Sequence, residues 1–497
     1  MRISRRTFLA TTAAAGIGTV APQGIAAQEP VPAKAIVKPM VKRPNVLYII
    51  MEDIGPQFAC YGEPLVKTPH LDKLASEGTR FTHVYSASPV CSASRSCLMT
   101  GNFQTRIAAH NHRTWAWRKQ PLPPPVKHIS DWYRDAGYFT CNLQPSGGGK
   151  GLHGAAGSGK VDLNFYRNDV KKQNFFDGND WNQRAKDQPF FAHITIIETH
   201  KGDGWKVARQ RPKSELVDVA AVKLASFYPD SLIARDEYAN YLDAIHLSDG
   251  YVGELLARLE RDGLAKNTVV VLSSDHGQCL FRSKQFLYDG GLHIPLIIRY
   301  PDGRGAGTVD ERFISGVDVA PMLLGMAGIE VPSGAMQGQD PFAPGAKQRD
   351  YILAARDRMD IAMDRMRAVR TRKFKYIRNE QPAVPYMQKN PYKEAEYPTW
   401  NLLKEWAKEN KLTPTQALFA APDKPVEELF DLSADPDEVH NLAGEIAYES
   451  TLTELRGVID QFVLENDGPV VNEDSLEVYR GFYGHLPEQK AAKGEEL

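Results

Sequence analysis

Three short polar clusters each follow directly on an apolar run. Glu52-Asp53 ends Asn45–Met51, Glu198-Thr199-His200 ends Phe190–Ile197, and Asp275-His276 ends Thr268–Ser273. Adjacent carboxylates at the end of a strand offer hard oxygen ligands to a divalent cation. Taken alone, such a pair is better read as a helix N-cap with a solvated neighbour. Asp275-His276 at the end of a second buried run makes metal binding the better reading of Glu52 and Asp53. Imidazole departs from the all-oxygen shell that calcium favours, so a transition metal stays open. A fourth cluster is Cys91-Ser92-Ala93-Ser94-Arg95-Ser96-Cys97-Leu98-Met99-Thr100-Gly101. An isolated cysteine is ordinarily a buried thiol, but here it lies four residues before an arginine.

These clusters need elements that bring them together. Continuous apolar runs suit strands buried on both faces of a parallel sheet, and Pro295–Tyr300 supplies a fourth such run. The stretch Glu237–Leu259 carries apolar residues at helical spacing. Strands alternating with helices predict an α/β fold, a mostly parallel central sheet flanked by helices. Ligands bind such sheets at the carboxyl ends of their strands, so three polar strand ends point to one crevice. Past residue 345 the pattern changes. Short strands at 351–355, 367–370 and 373–378, with helices near 397–410 and 447–464, predict a smaller antiparallel α+β subdomain over 346–482. The catalytic α/β domain is placed at 44–345 and a flexible polar tail at 483–497.

The chain of 497 residues carries Lys+Arg 60 against Asp+Glu 61, which gives no nucleic-acid footprint. Its first 27 residues read as a twin-arginine signal peptide: Arg5-Arg6, an apolar stretch Phe8–Ala21, and small residues Ala26-Ala27 at a cleavage site. The apolar stretch is shorter than the roughly 20 residues of a membrane-spanning helix, so no stable membrane span is expected. A Pro- and Lys-containing linker follows over 28–43. Twin-arginine export predicts passage through the Tat translocase as a folded protein, to the periplasm or beyond the cell. Five cysteines in a chain of this length do not make a disulfide scaffold.

The pattern Cys91-x-Ala93-x-Arg95 followed by Leu98-Met99-Thr100-Gly101 resembles the signature of the formylglycine-dependent (type I) sulfatases. The resemblance spans roughly residues 44 to 445 and implies an alkaline-phosphatase-like fold. It implies that a cytosolic maturase oxidises Cys91 to formylglycine (3-oxoalanine), whose hydrate attacks sulfur and releases the alcohol, then expels sulfate. Ala93 stands where proline is commoner, which points to a radical-type maturase. Arg95 would orient the hydrate. Glu52, Asp53, Asp275 and His276, with the modified Cys91, would hold the ion, Ca2+ or another divalent cation. Glu52 replaces the family's usual aspartate, so whether it binds the ion is left open.

Lys284, in Lys-x-x-x-Tyr-Asp-Gly-Gly, and His200, after Gln188-Pro189-Phe190-Phe191-Ala192, match the family's lysine and histidine segments. Two lysines compete for a further catalytic position. Lys150 lies in Lys150-Gly151-Leu152-His153, and Lys160 in Lys160-Val161-Asp162-Leu163-Asn164-Phe165. Lys160 is preferred, with 143–158 as an inserted loop. Gly154 to Lys160 also satisfies a P-loop spacing, but Val161 stands where that motif needs Ser or Thr. His112, Arg113, Arg356 and Arg358 resemble substrate-facing stretches of carbohydrate sulfatases, with Trp115 and Trp117 nearby for stacking on sugar rings. Glu428–Leu442 resembles a C-terminal hallmark read as a structural turn. The expected function is hydrolysis of an O-sulfate ester of a sulfated carbohydrate. The alternatives are a phosphodiester or phosphonate monoester hydrolase of the same superfamily, or a non-catalytic glycan-binding relative.

Overall fold

Strand β1 (Asn45–Met51) lies near the middle of a seven-stranded sheet, and all seven of its residues are buried. The computed structural model describes residues 36–37, 43–114, 119–143, 159–166 and 174–467. The signal peptide, most of the linker, Lys150, His153, Trp115, Trp117 and the C-terminal tail fall outside these residues.

The other strands are β2 (Thr79–Tyr85), β3 (Phe139–Leu143), β4 (Phe190–Ile196), β5 (Thr268–Ser274), β6 (Leu296–Arg299) and β7 (Thr308–Ser315). Their order across the sheet is β7-β2-β6-β5-β1-β4-β3. Like β1, strands β4 and β5 are buried throughout, which is why their sequences run apolar without alternation. All neighbouring pairs are parallel except those of β6, which runs antiparallel to both β5 and β2.

Register decides where the site falls. Met51 at the end of β1 pairs with Ile196 of β4 and Ser274 of β5. Residues 52–53, 197–200 and 275–276 therefore leave the sheet at one level, on one edge.

Helices cover the faces. Helix α1 (Pro69–Ser76) packs against the long α3 (Leu232–Arg261). Ser231 caps α3 by accepting the Ala234 N–H at 3.2 Å. Buried Asp249, inside α3, accepts the N–H groups of His70 and Leu71 at the start of α1. One carboxylate thus satisfies N–H groups of a neighbouring helix that have no intrahelical partner. Helix α2 (Cys91–Thr100) is buried over its whole length. No described helix is long and apolar enough to cross a membrane.

The C-terminal sheet is an antiparallel meander of β8 (Tyr351–Arg356), β9 (Met366–Thr371), β10 (Phe374–Asn379) and β11 (Glu427–Asp431). Between β10 and β11 the chain forms several helices, including α4 (Pro391–Glu396). Helix α5 (Glu449–Asn466) closes one face with Leu452, Leu455 and Ile459 against Val369, Tyr376 and Leu429. The meander joins the main sheet through polar groups: Ala355 N–H donates to the Ala87 carbonyl at 3.0 Å. Buried Lys375 pairs with Asp289 and, at 3.0 Å, with Glu438. Within the Glu428–Leu442 segment, Glu428 accepts from Tyr288 and Tyr386, and Glu438 accepts the Asp289 N–H.

Two core histidines carry a pH consequence. Burial pushes His193 down to about 3 and His293 to about 4, below the roughly 6.5 of an unfolded histidine. Folding therefore favours their neutral forms, and that stability is complete above pH 6.5 and lost as the pH falls toward 4 and below. The thermal midpoint is expected to hold above pH 7 and to drop between pH 6.5 and 4. Charging His193 is worth on the order of 3 kcal/mol. In His193→Asn the drop, followed by calorimetry, should be shallower; an unchanged slope would count against this assignment.

Candidate active site

Asp53 leaves β1 in a left-handed conformation, φ 60°. Its own N–H donates to Asp275 Oδ1 at 3.0 Å, and Ile54 N–H donates to Ser274 Oγ at 3.1 Å. These bonds tie the ends of β1 and β5 together and turn the Asp53 carboxylate inward. Val90, in extended backbone, precedes α2, so Cys91 occupies the helix's first turn. Ser94 Oγ donates to the Asp275 carbonyl at 2.5 Å. Gly101 ends the helix at φ 67°, where a β-carbon would come within 2.8 Å of Met336 Sδ.

Cys91 Sγ lies 3.3 Å from Asp53 Oδ1 and 3.4 Å from His276 Nε2. Burial, with Asp53 alongside, pushes the thiol well above its ordinary range. The encoded side chain is therefore a neutral thiol, and the thiolate is the nucleophilic form of cysteine. Burial disfavours the Asp53 carboxylate, but the Lys284 ammonium holds it well below its usual range. Lys284 Nζ is 2.5 Å from Asp53 Oδ2, and His200 Nε2 is 3.9 Å from the same oxygen. Burial likewise opposes the Lys284 ammonium, while Asp53 raises it well above normal. Burial, seconded by Lys284, pushes His200 down to about 4.

Arg95 is wholly buried and directed at the same cluster. Its Nε reaches Asp275 Oδ2 at 3.1 Å, Nη1 reaches Thr195 Oγ1 at 3.0 Å, and Nη2 lies 4.0 Å from Glu52 Oε1. Glu52 pairs with Lys160 through the same Oε1. Lys160 also lies 3.5 Å from Asp162 Oδ2. Of the two competing lysines, Lys160 is the one the structure describes, and it reaches the cluster.

A divalent cation fits these residues on two observations. His276 Nδ1 lies 3.1 Å from the Gly277 carbonyl and donates to it, which turns Nε2 toward Asp53. That Nε2 stands 2.7 Å from Asp53 Oδ1, a distance at which a proton or a metal ion must stand between the two atoms. In addition, Glu52 Oε2 is fully buried with no hydrogen-bond partner. Asp53, Cys91, Asp275 and His276 form one group whose ligand atoms lie within 4.8 Å of one another. Glu52, Asp53, Cys91 and His200 form an overlapping one. Glu52 thus meets the first group only through Asp53 and Cys91.

The substrate-facing expectations divide. His112 is buried beside α2, its Nδ1 2.8 Å from Ser92 Oγ, and Arg113 N–H donates to the same hydroxyl at 3.2 Å. Arg358 donates to the His112 carbonyl at 3.0 Å, which joins the small subdomain to this segment. Arg356 is buried elsewhere: it pairs with Asp364 at 2.5 Å and lies 5.0 Å from the Phe286 ring centre. It is paired inside the protein, with a carboxylate that buried Lys424 also contacts at 2.8 Å, because an isolated buried guanidinium would be costly, so its placement differs from the substrate-facing expectation.

Tyr392 escaped the sequence reading. Its ring lies 6.2 Å from that of His200 and 5.4 Å from Lys284 Nζ. The only local signal is a helix start, Asn390-Pro391, which carries no chemistry by itself.

A family model described as Sulfatase matches residues 44–329, and one described as N-sulphoglucosamine sulphohydrolase, C-terminal, matches 276–383. An ulvan-active sulfatase of Formosa agariphila is 34% identical over 86% of this chain and 76% of its own. A solved structure in complex with its substrate D-glucosamine-2-N,6-O-disulfate has TM-score 0.57 at 20% identity, covering 86% of this chain and 98% of that one. The phosphonate monoester hydrolase of Agrobacterium radiobacter has TM-score 0.59 at 18% identity, covering 85% and 96%; these two likenesses show the fold. The family match spans the strand ends, helix α2 with Cys91 and the lysine turn, and with it the chain belongs to the type I sulfatases of the alkaline phosphatase superfamily, as a sulfuric ester hydrolase.

Proposed function

We propose that the protein hydrolyses an O-sulfate ester of a sulfated carbohydrate, using a formylglycine made from Cys91 and a divalent cation, with Ca2+ the first choice. The observation that carries this reading is the position of Cys91: a buried, neutral thiol set among Asp53, His276 and the Lys284 ammonium. The relative that acts on ulvan supports a polysaccharide substrate. Asp53, Asp275 and His276 would hold the cation, with Glu52 at the edge of the set. When present, the aldehyde hydrate supplies the attacking hydroxyl, and the cation supplies charge against the sulfuryl oxygens.

The protein's own groups do the rest. Lys284 and Lys160 direct ammonium charge at the position where the sulfuryl oxygens gain negative charge, the arrangement that most lowers such a barrier. Arg95 fixes the Asp275 carboxylate through Nε and leaves Nη2 facing Glu52. His200 stands where it can hand a proton to the leaving alcohol. It is neutral in the empty site, and an arriving sulfate ester brings negative charge that raises it toward the range of a useful acid. Export through the Tat translocase with loss of residues 1–27 completes the proposal. N-terminal sequencing of the mature protein is expected to begin at Gln28, and a full-length N-terminus on exported protein would reject it.

Cys91→Ala is expected to abolish turnover while leaving the thermal midpoint close to that of the parent. The Cys91 peptide from active protein should carry the mass of the aldehyde or its hydrate. A thiol throughout active material would refute the mechanism.

Chelation should remove activity, and added Ca2+ should restore it in the parent but not in Asp275→Asn. Assay against a sulfated saccharide and an aryl phosphate diester side by side tests the substrate class; faster phosphoester turnover would overturn the sulfatase reading of the site.

His200→Ala should cost about 10²- to 10⁴-fold in kcat on a saccharide sulfate. The cost should be far less on an aryl sulfate, whose leaving oxygen needs no proton. Equal losses on both would remove the proton-donor role.

A further inference from the structure

Among the described residues, nine other than glycine have positive φ, and Asp53, Arg113, Asp162, Gln285 and Asp360 surround this site. Backbone strain of this kind persists only where surrounding contacts impose it. Asp53 and Asp162 belong to the cluster already described. Gln285, the residue after Lys284, does not, and its φ is 77°.

Gln285 is buried, at 2% exposure, and its N–H and both polar atoms of its side chain are engaged. Its N–H donates to the Pro89 carbonyl at 2.8 Å, two residues before Cys91. Its Nε2 donates to Asp360 Oδ2 at 3.1 Å. Its Oε1 accepts from Asn390 Nδ2 at 2.9 Å. Asn390 in turn caps α4, accepting the Lys393 N–H at 3.2 Å, and α4 carries Tyr392. Asp360 Oδ1 lies 3.7 Å from His112 Nε2, and His112 Nδ1 meets Ser92 Oγ beside Cys91. One residue therefore joins, through its backbone, the approach to Cys91 and, through its side chain, the Asp360 turn and the Tyr392 helix.

We propose that Gln285 is a positioning residue: its left-handed backbone and its bridge between Asp360 and Asn390 aim Lys284 at the sulfuryl position and set Tyr392 beside His200. The inference rests on the reading of Lys284 as the sulfuryl-binding cation. The physical case is geometric. Lys284 is a long, rotatable side chain whose Nζ must meet a charge that develops only during the reaction. Misplacing a catalytic group by about 1 Å can cost on the order of 100-fold in rate. A residue in relaxed backbone conformation would turn the peptide after Lys284 differently. Loss of the amide would leave Asp360 and Asn390 without their shared partner.

The test uses the mature, formylglycine-bearing protein with metal supplied, assayed on a sulfated saccharide. In Gln285→Ala, kcat is expected to fall about 10- to 100-fold with KM within about 3-fold. The Gln285→Ala/Asp360→Ala double variant should be no slower than the slower single, because the two act through one bridge. Thermal midpoint and Cys91 modification, read on the same samples, separate positioning from misfolding or failed maturation. If Gln285→Ala does not fold, Gln285→Asn takes its place. Asparagine tolerates the left-handed backbone, but its amide is one methylene short of bridging both partners, so the same kcat loss is expected. Folded, modified variants with kcat within 2-fold of the parent, or losses at 285 and 360 that simply multiply, would overturn the inference. Lys284→Ala is the reference: if it too retains activity, the reading of Lys284 fails first.

Discussion

A carboxylate with no exposed surface has to be neutralised where it stands, and Asp53 is such a group. Its two oxygens are shared among Cys91, His276 and Lys284, with His200 farther out. An isolated charge in that position would cost several kcal/mol. The site is therefore built around it: a lysine brought from the turn before β6 offsets the charge, a thiol at the start of α2 donates to it, and an imidazole just past β5 faces the same oxygen. Each of these would lose its electrostatic partner if Asp53 moved. The left-handed Asp53 backbone, held by the Asp275 carboxylate, is the hinge on which the arrangement turns.

Sheet register makes that arrangement possible without further adjustment. Because Met51, Ile196 and Ser274 are level, the polar residues after them share one rim, and the buried middle of the sheet keeps the rim rigid. The small subdomain then closes the site from the side. Its contribution is indirect, through Arg358 on the His112 carbonyl and Asn390 on Gln285. The two sheets are thus coupled by polar bonds at the rim as well as by apolar packing behind it.

This division explains what could be read from sequence. Continuous apolar strands followed at once by acids and histidines are a local signal, and they placed Glu52, Asp53, His200, Asp275 and His276 on one edge. The motif around Cys91 is also local. The reversed direction of β6 left no trace, because an apolar run is the same read in either direction. Arg356 misled for a related reason: composition marks an arginine as available charge, and only the fold shows that Asp364 pairs with it. Gln285 and Tyr392 were invisible because their meaning lies in partners 75 and more residues away. Their own sequence neighbourhoods hold no spacing that chemistry requires.

On the proposed reading, local charge favours a monoanionic substrate. Glu52, Asp53, Asp162 and Asp275 stand in contact with Arg95, Lys160 and Lys284, while burial depresses His200 and leaves it neutral. These groups sum to one negative charge. The proposed divalent cation among the carboxylates would turn the sum to one positive, and a sulfate ester, which carries one negative charge, would bring it to zero. A phosphate monoester, with up to two, would overshoot. The fields inside a low-dielectric crevice are strong enough for one unit of charge to matter, so attraction for an anion is built locally in a chain whose net charge is −1. The Glu52–Lys160 pair enters this sum as a neutral unit, which is how glutamate can stand in the family's aspartate position without altering the balance on which sulfate binding depends.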